Sequence, residues 1–326
     1  MHRQLLVFAN TLSLLICLMA APVTAENEKG PNENILTSRP RVALALGGGG
    51  ARGAAHLGVL KVLEEEKIPI DFITGTSIGS VVGGLYADGV PLSKLQMMFA
   101  NRTLMHAYNR TPMLCTIAYI PITMIPRALG IHHYVGLYRG DKFAVFLDNL
   151  VPPERRNVEN TIIPFKAIAS DLISGKTYAI AHGDLGKAIQ ASCSLPWLKK
   201  PVLIDNKVLC DGFVAGGNLP ISDAKAMGAD IVICVDIDGV KKSCTENDLQ
   251  HVKSYRHRTN GIIASTMDMS EASKADVVLR PDVGDLGMLL SSSSDIRRGI
   301  QAGEDAARAA LPQIRKLLQA KAQRVR

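Results

Sequence analysis

The sequence is poor in aromatic residues and in cysteine, and each shortage excludes a class of site. Aromatic residues make up 5% of the 326 residues and do not alternate with basic ones, so no stretch predicts nucleic-acid binding. The six cysteines form no C-x-x-C pair and no cluster with histidine. We therefore expect a protein without a disulfide framework, without a metal site and without a nucleic-acid partner.

Long apolar runs are also scarce, and the most continuous one lies at the amino end. It extends from Leu5 to Ala21, follows Arg3 and leads to Val23-Thr24-Ala25, which has the small residues of a secretory cleavage site. Residues 1–25 are therefore expected to be a signal peptide. Export would place the mature protein in the periplasm, in the cell envelope or outside the cell. An uncleaved anchor helix is the alternative, although the run is short for a membrane span.

The rest of the chain is long enough for one domain with a large core. Residues 26–40 are polar, contain two prolines and show no apolar period, which predicts a flexible leader. The domain is expected over residues 41–326. Removal of the signal peptide would take away one positive charge, so the formal net charge of +7 would fall to 7 − 1 = +6. A basic protein of this kind is compatible with contact with an anionic membrane surface.

A serine lies between two glycines in the motif Gly75-Thr76-Ser77-Ile78-Gly79, which follows an apolar run beginning at Ile70. Such glycines allow the backbone to turn sharply from a strand into a helix and expose the hydroxyl at the carboxyl edge of a sheet. We therefore predict that Ser77 is a nucleophile and that Gly75 and Gly79 form its elbow. An ordinary turn between a strand and a helix is the alternative, because the motif alone is weak.

A glycine-rich loop precedes this motif. The apolar run Val42–Leu46 is followed by Gly47-Gly48-Gly49-Gly50-Ala51-Arg52-Gly53, and a helical pattern starts at Ala54. Successive glycine amides at a helix N-terminus can hold the pyrophosphate of a dinucleotide or the oxyanion of an acyl-transfer intermediate. The dinucleotide hypothesis is weakened by Asp71, the candidate ribose ligand, which opens its strand instead of ending it.

These motifs resemble the patatin-like phospholipase family. The opening half is Gly48–Gly53 with His56 and Gly58, followed by the Gly75–Gly79 motif. Later segments agree with the family in order and approximate spacing, and the resemblance covers roughly Arg41 to Asp238. These segments are Ala169-Ser170-Asp171, Gly175-Lys176, Ala191-Ser192-x-x-x-Pro196, Pro201 and Asp211-Gly212.

The resemblance implies a serine lipid acyl hydrolase of phospholipase A or lysophospholipase type, with Ser77 as nucleophile and Asp211 as base in a Ser-Asp dyad. The amides of Gly48, Gly49 and Gly50 are expected to form the oxyanion hole. Arg52 and Gly53 complete the expected substrate-binding loop, where Arg52 either braces the loop or holds a phosphate. His56 is expected to brace the same loop.

The expected partner is an acyl lipid at a membrane surface, and the reaction requires no cofactor. Three alternatives stay open. A thioesterase or peptidase could use the same dyad, and a domain that binds a dinucleotide or a lipid would not be an enzyme. His251 and His257 follow Asp211, which gives the chain order of a Ser-Asp-His triad, although we expect both histidines in an exposed loop.

Strands alternate with helices along the domain, which predicts an α/β fold with a three-layer, doubly wound, mainly parallel sheet and helices on both faces. The glycine loop, Ser77 and Asp211 are expected at the carboxyl ends of the strands. Residues 92–138 are expected to be an irregular, apolar, cap-like insertion. Within it, residues 104–138 could form a lid that meets lipid or an ordinary part of the core. Residues 241–260 are expected to form a surface loop, and Pro312 to kink or break the last helix.

Overall fold

The computed structural model describes residues 39–109, 136, 139–196, 198–238, 244–284, 286–287 and 292–325. The predicted signal peptide, nearly all of the predicted leader and most of the predicted cap and lid lie outside these residues and stay predictions. Within the described ranges, no helix is long and apolar enough to cross a membrane.

The described strands form one mixed sheet. Strands β3, β2, β1, β7 and β8 are adjacent in that order and parallel, whereas β4, β5 and β6 pair antiparallel at the β3 end. The predicted three-layer α/β class is confirmed, with an antiparallel portion added. The strands are β1 Val42–Leu46, β2 Phe72–Thr76, β3 Phe165–Asp171, β4 Lys176–Ile180, β5 Val202–Ile204, β6 Lys207–Asp211, β7 Ile231–Val235 and β8 Val277–Leu279.

Helices cover both faces of this sheet. The helices are α1 Ala54–Glu65, α2 Ile78–Ala87, α3 Leu92–Ala100, α4 Thr103–Tyr108, α5 Asp141–Asp148, α6 Leu185–Ser192, α7 Phe213–Gly216, α8 Ile221–Ala226, α9 Glu246–Leu249, α10 Val252–Ala272 and α11 Ser293–Val325. Short 3-10 turns occur at Gly50–Gly53, Pro153–Arg155 and Val158–Asn160.

Alternate strand residues face two different cores, as the pleat requires. Val42, Leu44 and Leu46 of β1 point to the larger core, which includes buried side chains of α1, α2, α6 and α11. Ala43 and Ala45 point to a smaller core with α8. All five residues of β1 are fully buried, so a parallel strand covered on both faces is uniformly apolar.

Helices α1 and α11 cross at two glycines. A Cβ on Gly58 would lie 1.9 Å from the Ile300 carbonyl oxygen, and one on Gly303 would lie 2.0 Å from the Ala55 oxygen. This contact holds α11 against α1, and α11 continues through Pro312 without a break. Pro312 lacks an N–H and therefore removes one helical hydrogen bond, which the packing of α11 must offset.

Strand β3 extends beyond the carboxyl end of β2. Phe165–Ile168 of β3 pair with β2, whereas Ala169–Asp171 pair with β6, which runs in the opposite direction. Strand β4 lies along the other side of β3 and overlaps both pairings. The carboxyl ends of β2 and β6 therefore face each other on one side of β3. Asp211 ends its strand, as expected, but this strand belongs to the antiparallel portion of the sheet.

Two regions differ from the sequence-based expectations. Residues 92–108 form α3 and α4 instead of an irregular cap, because Leu95, Met98 and Phe99 recur at helical spacing and are buried. Within the expected loop 241–260, residues 246–249 form α9 and residues 252–260 belong to α10, because a helix on the surface can be largely polar. Among the described cysteines, Cys193, Cys210, Cys234 and Cys244 are unpaired.

Candidate active site

The turn between β2 and α2 holds Ser77 in an uncommon backbone conformation. Its φ is 53° and its ψ is −122°, which a residue with a Cβ rarely adopts. A Cβ on Gly75 would lie 2.5 Å from the Gly79 carbonyl carbon, and a Cβ on Gly79 would lie 2.2 Å from the Leu46 oxygen. Both glycines are required because strand and helix approach so closely. The chain therefore turns sharply at a half-buried Ser77.

Ser77 and Asp211 are brought together because the carboxyl ends of β2 and β6 face each other. The Ser77 Oγ donates a hydrogen bond of 2.8 Å to Asp211 Oδ2. The Asp211 side chain is fully buried, and its other oxygen, Oδ1, accepts a bond of 3.3 Å from the Phe213 amide. The two side chains thus form a direct pair without an intervening histidine.

The electrostatics of this pair suit proton transfer. Burial raises the pKa of the Asp211 carboxyl to about 7, against the opposing effect of the hydrogen bonds donated by Ser77 and by the Phe213 amide. A carboxyl with this pKa is half ionised near neutral pH, which is the range in which a general base works well. A perturbed carboxyl hydrogen-bonded to a hydroxyl at a sheet edge is typical of a functional site.

The glycine loop lies against Ser77. A Cβ built on Gly48 would be 3.4 Å from the Ser77 Cβ. The Gly48 amide faces the Asn218 carbonyl oxygen at 3.4 Å, so this amide is already engaged. Gly49 and Gly50 have φ values of 155° and 60°, and no described residue accepts a hydrogen bond from their amides. Of the three amides expected in an oxyanion hole, only that of Gly48 therefore has an acceptor among the described residues.

Arg52, Gly53 and His56 support the loop from behind. Arg52 is 2% exposed and donates hydrogen bonds of 3.0 Å to the carbonyl oxygens of Leu286 and Gly284. A Cβ on Gly53 would lie 2.4 Å from the Ile78 side chain. These contacts favour a bracing role for Arg52 and a packing role for Gly53 over contact with substrate.

His56 is fully buried, and its Nε2 lies 2.9 Å from the Gly47 carbonyl oxygen. Burial lowers the pKa of the imidazole to about 4, so the ring is neutral at physiological pH and donates through Nε2. The expected brace at the base of the glycine loop is therefore present.

Within the part of the chain that the structure describes, two alternative sites are not assembled. Asp71 accepts hydrogen bonds from Arg39 and from the Val42 amide, at the amino end of β1 and β2. The glycine loop follows the other end of β1, so Asp71 is in the wrong place for a dinucleotide ribose. His251 is exposed just before α10, whereas the Ser77 hydroxyl bonds directly to Asp211. The side chain of His257 lies outside the described part of the structure.

Several residues at the site have roles that the sequence did not indicate. Ser192 Oγ accepts a bond of 2.9 Å from the Ser77 amide, and Ser170 Oγ donates one of 3.0 Å to the Gly212 carbonyl. The Tyr108 hydroxyl donates to the Cys193 carbonyl at 2.8 Å. Ser170 and Ser192 occur in the motifs noted above, but motif spacing does not show which atoms they contact. Tyr108 carries no such signal, because an aromatic residue in a helix usually belongs to the core.

The chain is similar in sequence to known proteins. An uncharacterized NTE family protein of Mycobacterium tuberculosis is 31% identical over 245 residues, which are 74% of this chain and 61% of that protein. Patatin-like phospholipase domain-containing protein 7 of Rattus norvegicus is 34% identical over 200 residues, 60% of this chain and 13% of that protein. This chain thus spans about three fifths of the mycobacterial relative and a small part of the rat protein.

Among solved structures, VipD from Legionella pneumophila is distantly similar to this chain. The TM-score is 0.45 and the identity 13%, over 87% of this chain and 67% of VipD. The family described as Patatin-like phospholipase matches residues 44–225, more than half of the chain, and this range contains the glycine loop, Ser77 and Asp211. On this match the chain belongs to the patatin-like phospholipase family.

Proposed function

We propose that this protein is a serine lipid acyl hydrolase that cleaves fatty acyl esters of phospholipids or lysophospholipids. The observation that supports it best is the hydrogen bond of 2.8 Å between Ser77 Oγ and Asp211 Oδ2, beside a loop whose Gly49 and Gly50 amides have no acceptor among the described residues. A serine hydroxyl is a weak nucleophile until a base removes its proton. Here the base candidate is already in contact with the hydroxyl.

The reaction has two halves. Ser77 Oγ attacks the acyl carbonyl carbon while Asp211 takes the hydroxyl proton, and the amides of Gly49 and Gly50 donate to the oxyanion. The leaving alcohol takes the proton from Asp211, which leaves an acyl ester on Ser77. Water then attacks this ester, gives its proton to Asp211 and releases the fatty acid, and Ser77 regains its proton.

The lipid substrate is supported by the family and by its named members. A protein of Yarrowia lipolytica called Lysophospholipase NTE1 is 31% identical over 215 residues, 65% of this chain and 14% of that protein. Because this chain covers only part of such relatives, their names do not give its preference for head group or acyl position. Assays with a series of defined phospholipids and lysophospholipids would measure both preferences. Lipid esters presented in vesicles also test whether a membrane surface raises the activity.

A thioesterase or a peptidase could use the same Ser77–Asp211 pair. The three activities differ in the leaving group, which the pair alone does not select. We expect oxygen esters with long acyl chains to be hydrolysed faster than matched thioesters or peptides. A panel in which the acyl chain is held constant and the leaving group is varied measures this directly.

The decisive test is Ser77→Ala. We expect hydrolysis of a phospholipid and labelling by a fluorophosphonate to fall by about 10⁴ or more, because a catalytic unit fails when its nucleophile is removed. The variant should keep its circular dichroism spectrum and its unfolding midpoint. Ser273→Ala removes an exposed hydroxyl at the end of α10 and serves as the control. Activity near wild type in Ser77→Ala would exclude the proposed mechanism.

A further inference from the structure

Two buried serines contact the backbone on either side of the site. Ser192 is fully buried at the end of α6, and its Oγ accepts a bond of 2.9 Å from the Ser77 amide. The same hydroxyl donates a bond of 2.6 Å to the Ile168 carbonyl oxygen on β3. Ser192 thus connects the peptide that enters Ser77 to the strand beside it.

Ser170 has the same arrangement on the Asp211 side. It lies on β3, is 1% exposed, and its Oγ accepts a bond of 2.9 Å from the Ala215 amide. It donates a bond of 3.0 Å to the carbonyl oxygen of Gly212, the residue after Asp211. Each serine therefore accepts one amide and donates to one carbonyl, and β3 takes part in both connections.

Both halves of the pair need such support. The positive φ of Ser77 is a strained conformation for a residue with a Cβ and persists only where the surroundings fix it. Asp211 ends a strand that pairs with only three residues of β3, Ala169–Asp171. Its side chain is fully buried, and burial disfavours the ionised carboxylate. Neither residue is held in place by its own local preferences.

We propose that Ser192 and Ser170 are positioning residues that fasten the Ser77 and Asp211 sides of the site to β3. This inference rests on the function proposed above for the Ser77–Asp211 pair. Neither serine reaches the substrate, because both are buried and both hydroxyls already have an amide and a carbonyl partner. Ser192 also occupies the Ser77 amide, which leaves oxyanion binding to the glycine loop.

A positioning role makes a specific kinetic prediction. In Ser192→Ala the Ser77 amide loses its acceptor, so the backbone turn relaxes and the hydroxyl drifts from Asp211. A displacement of about 1 Å can cost about a hundredfold in rate. We expect kcat for a soluble ester such as p-nitrophenyl butyrate to fall about ten- to hundredfold, with KM little changed. Ser170→Ala should act in the same direction through the Asp211 side.

The pH profile gives a second readout that a merely structural role would not move. The hydrogen bond from the Ser77 hydroxyl opposes the effect of burial on the pKa of Asp211. If that bond weakens in Ser192→Ala, the apparent pKa of kcat/KM should rise above the wild-type value. Loss of stability alone would lower the amount of folded enzyme without shifting this pKa.

Thr74→Val is the matched control. Thr74 is fully buried on β2, and its Oγ1 donates its hydrogen bond of 2.9 Å to the Pro220 carbonyl oxygen and not to Ser77 or Asp211. Like Ser192→Ala, the Thr74→Val change leaves a buried carbonyl, here that of Pro220, without its donor. The unfolding midpoint of this variant should therefore fall as well. Its kcat and its apparent pKa should stay near the wild-type values.

The outcomes separate the two proposals. If wild-type protein is neither labelled by a fluorophosphonate nor active on esters, the proposed function fails. If wild type is active and Ser192→Ala keeps its kcat, or loses no more than Thr74→Val, the positioning role is wrong. Should Ser192→Ala not fold, Ser192→Cys applies the same test, because a thiol fills the space but is a weak acceptor.

Discussion

The parallel and antiparallel parts of the sheet contribute different things. The parallel strands β1 and β7 are apolar and fully buried along their length, with helices on both faces. The antiparallel end, β3 with β4 to β6, carries exposed apolar residues such as Leu203 and also the buried Asp211 and Ser170. The parallel part supplies Ser77 and the glycine loop at its edge, and the antiparallel end brings the Asp211 carboxyl to Ser77. The fully buried apolar strands therefore lie in one part of the sheet, whereas the candidate site needs both parts.

Asp211→Asn is the change with the largest expected effect on this contrast. The amide cannot accept the Ser77 proton, so we expect hydrolysis to fall by about 10⁴. At pH 8 the wild-type carboxyl is charged in a fully buried place, whereas the amide is neutral. The unfolding midpoint of the variant should therefore equal or exceed that of wild type, measured by differential scanning calorimetry.

Asp171→Asn is the control from the same end of the sheet. Hydrogen bonds from the Ser174 hydroxyl and the Ile173 amide, together with Lys207, hold the pKa of Asp171 below its ordinary value. Its charged form is therefore stabilised by folding, and we expect this variant to lose stability and keep its activity. If Asp211→Asn behaved in the same way, Asp211 would be a structural residue.

The same contrast explains what the sequence could predict of the fold. Strands β1 and β2 were predicted because the five apolar residues Val42–Leu46 suit a buried parallel strand and a shorter apolar run from Ile70 leads into the Gly75–Gly79 motif. Strand β5 and the reversed direction of β6 were not. Val202–Ile204 is too short for a period, and the direction of β6 depends on its pairing with β3, which is distant in the chain.

At the site, the elbow glycines and the serine were predictable because their geometry is local. The resemblance to the family added Asp211, whose strand ends beside Ser77 only through long-range pairing. The direction of the Arg52 side chain was not predictable, since its carbonyl partners lie at Gly284 and Leu286. The contacts of Ser192 are of the same kind, because they depend on how α6 packs against β3.

Gly58→Ala should lower the stability of the helix layer formed by α1 and α11 and leave the chemistry unchanged. The added methyl would meet the Ile300 carbonyl oxygen, a backbone atom that cannot move without shifting α11. We expect a loss of about 1–3 kcal/mol in the free energy of unfolding by chemical denaturation. Rates should be divided by the fraction of folded sites, counted by fluorophosphonate titration. That corrected rate should match wild type.

Gly299→Ala is the matched change on the same pair of helices. The nearest atom to its added methyl would be the Ala54 Cβ at 3.2 Å, a tight contact with a side chain and not with backbone. We expect a much smaller change in stability than in Gly58→Ala. A large fall in the corrected rate of Gly58→Ala would show that the two parts of the sheet are coupled.

The smallest expected effect is a separation between the pH dependence of activity and that of stability. Burial raises the pKa values of Asp211 and Asp238 to about 7 and those of Asp148 and Asp268 to about 6. From about pH 4 up to these values, the folded protein binds more protons than the unfolded chain. These groups therefore make the free energy of unfolding fall as the pH rises through this range.

Activity should change in the opposite direction, because Asp211 accepts a proton only when it is ionised. We expect kcat/KM to fall about tenfold for each pH unit below 7 and to level off above it, while the free energy of unfolding is higher at pH 5 than at pH 8. A histidine base would give a similar rate profile, so His251→Ala is measured beside wild type and should reproduce it. In Asp211→Asn the fall in stability between pH 5 and pH 8 should be smaller. A rate that stays constant from pH 5 to pH 8 would show that the buried carboxyl is not the base, since a group with a pKa of about 7 must titrate within that range.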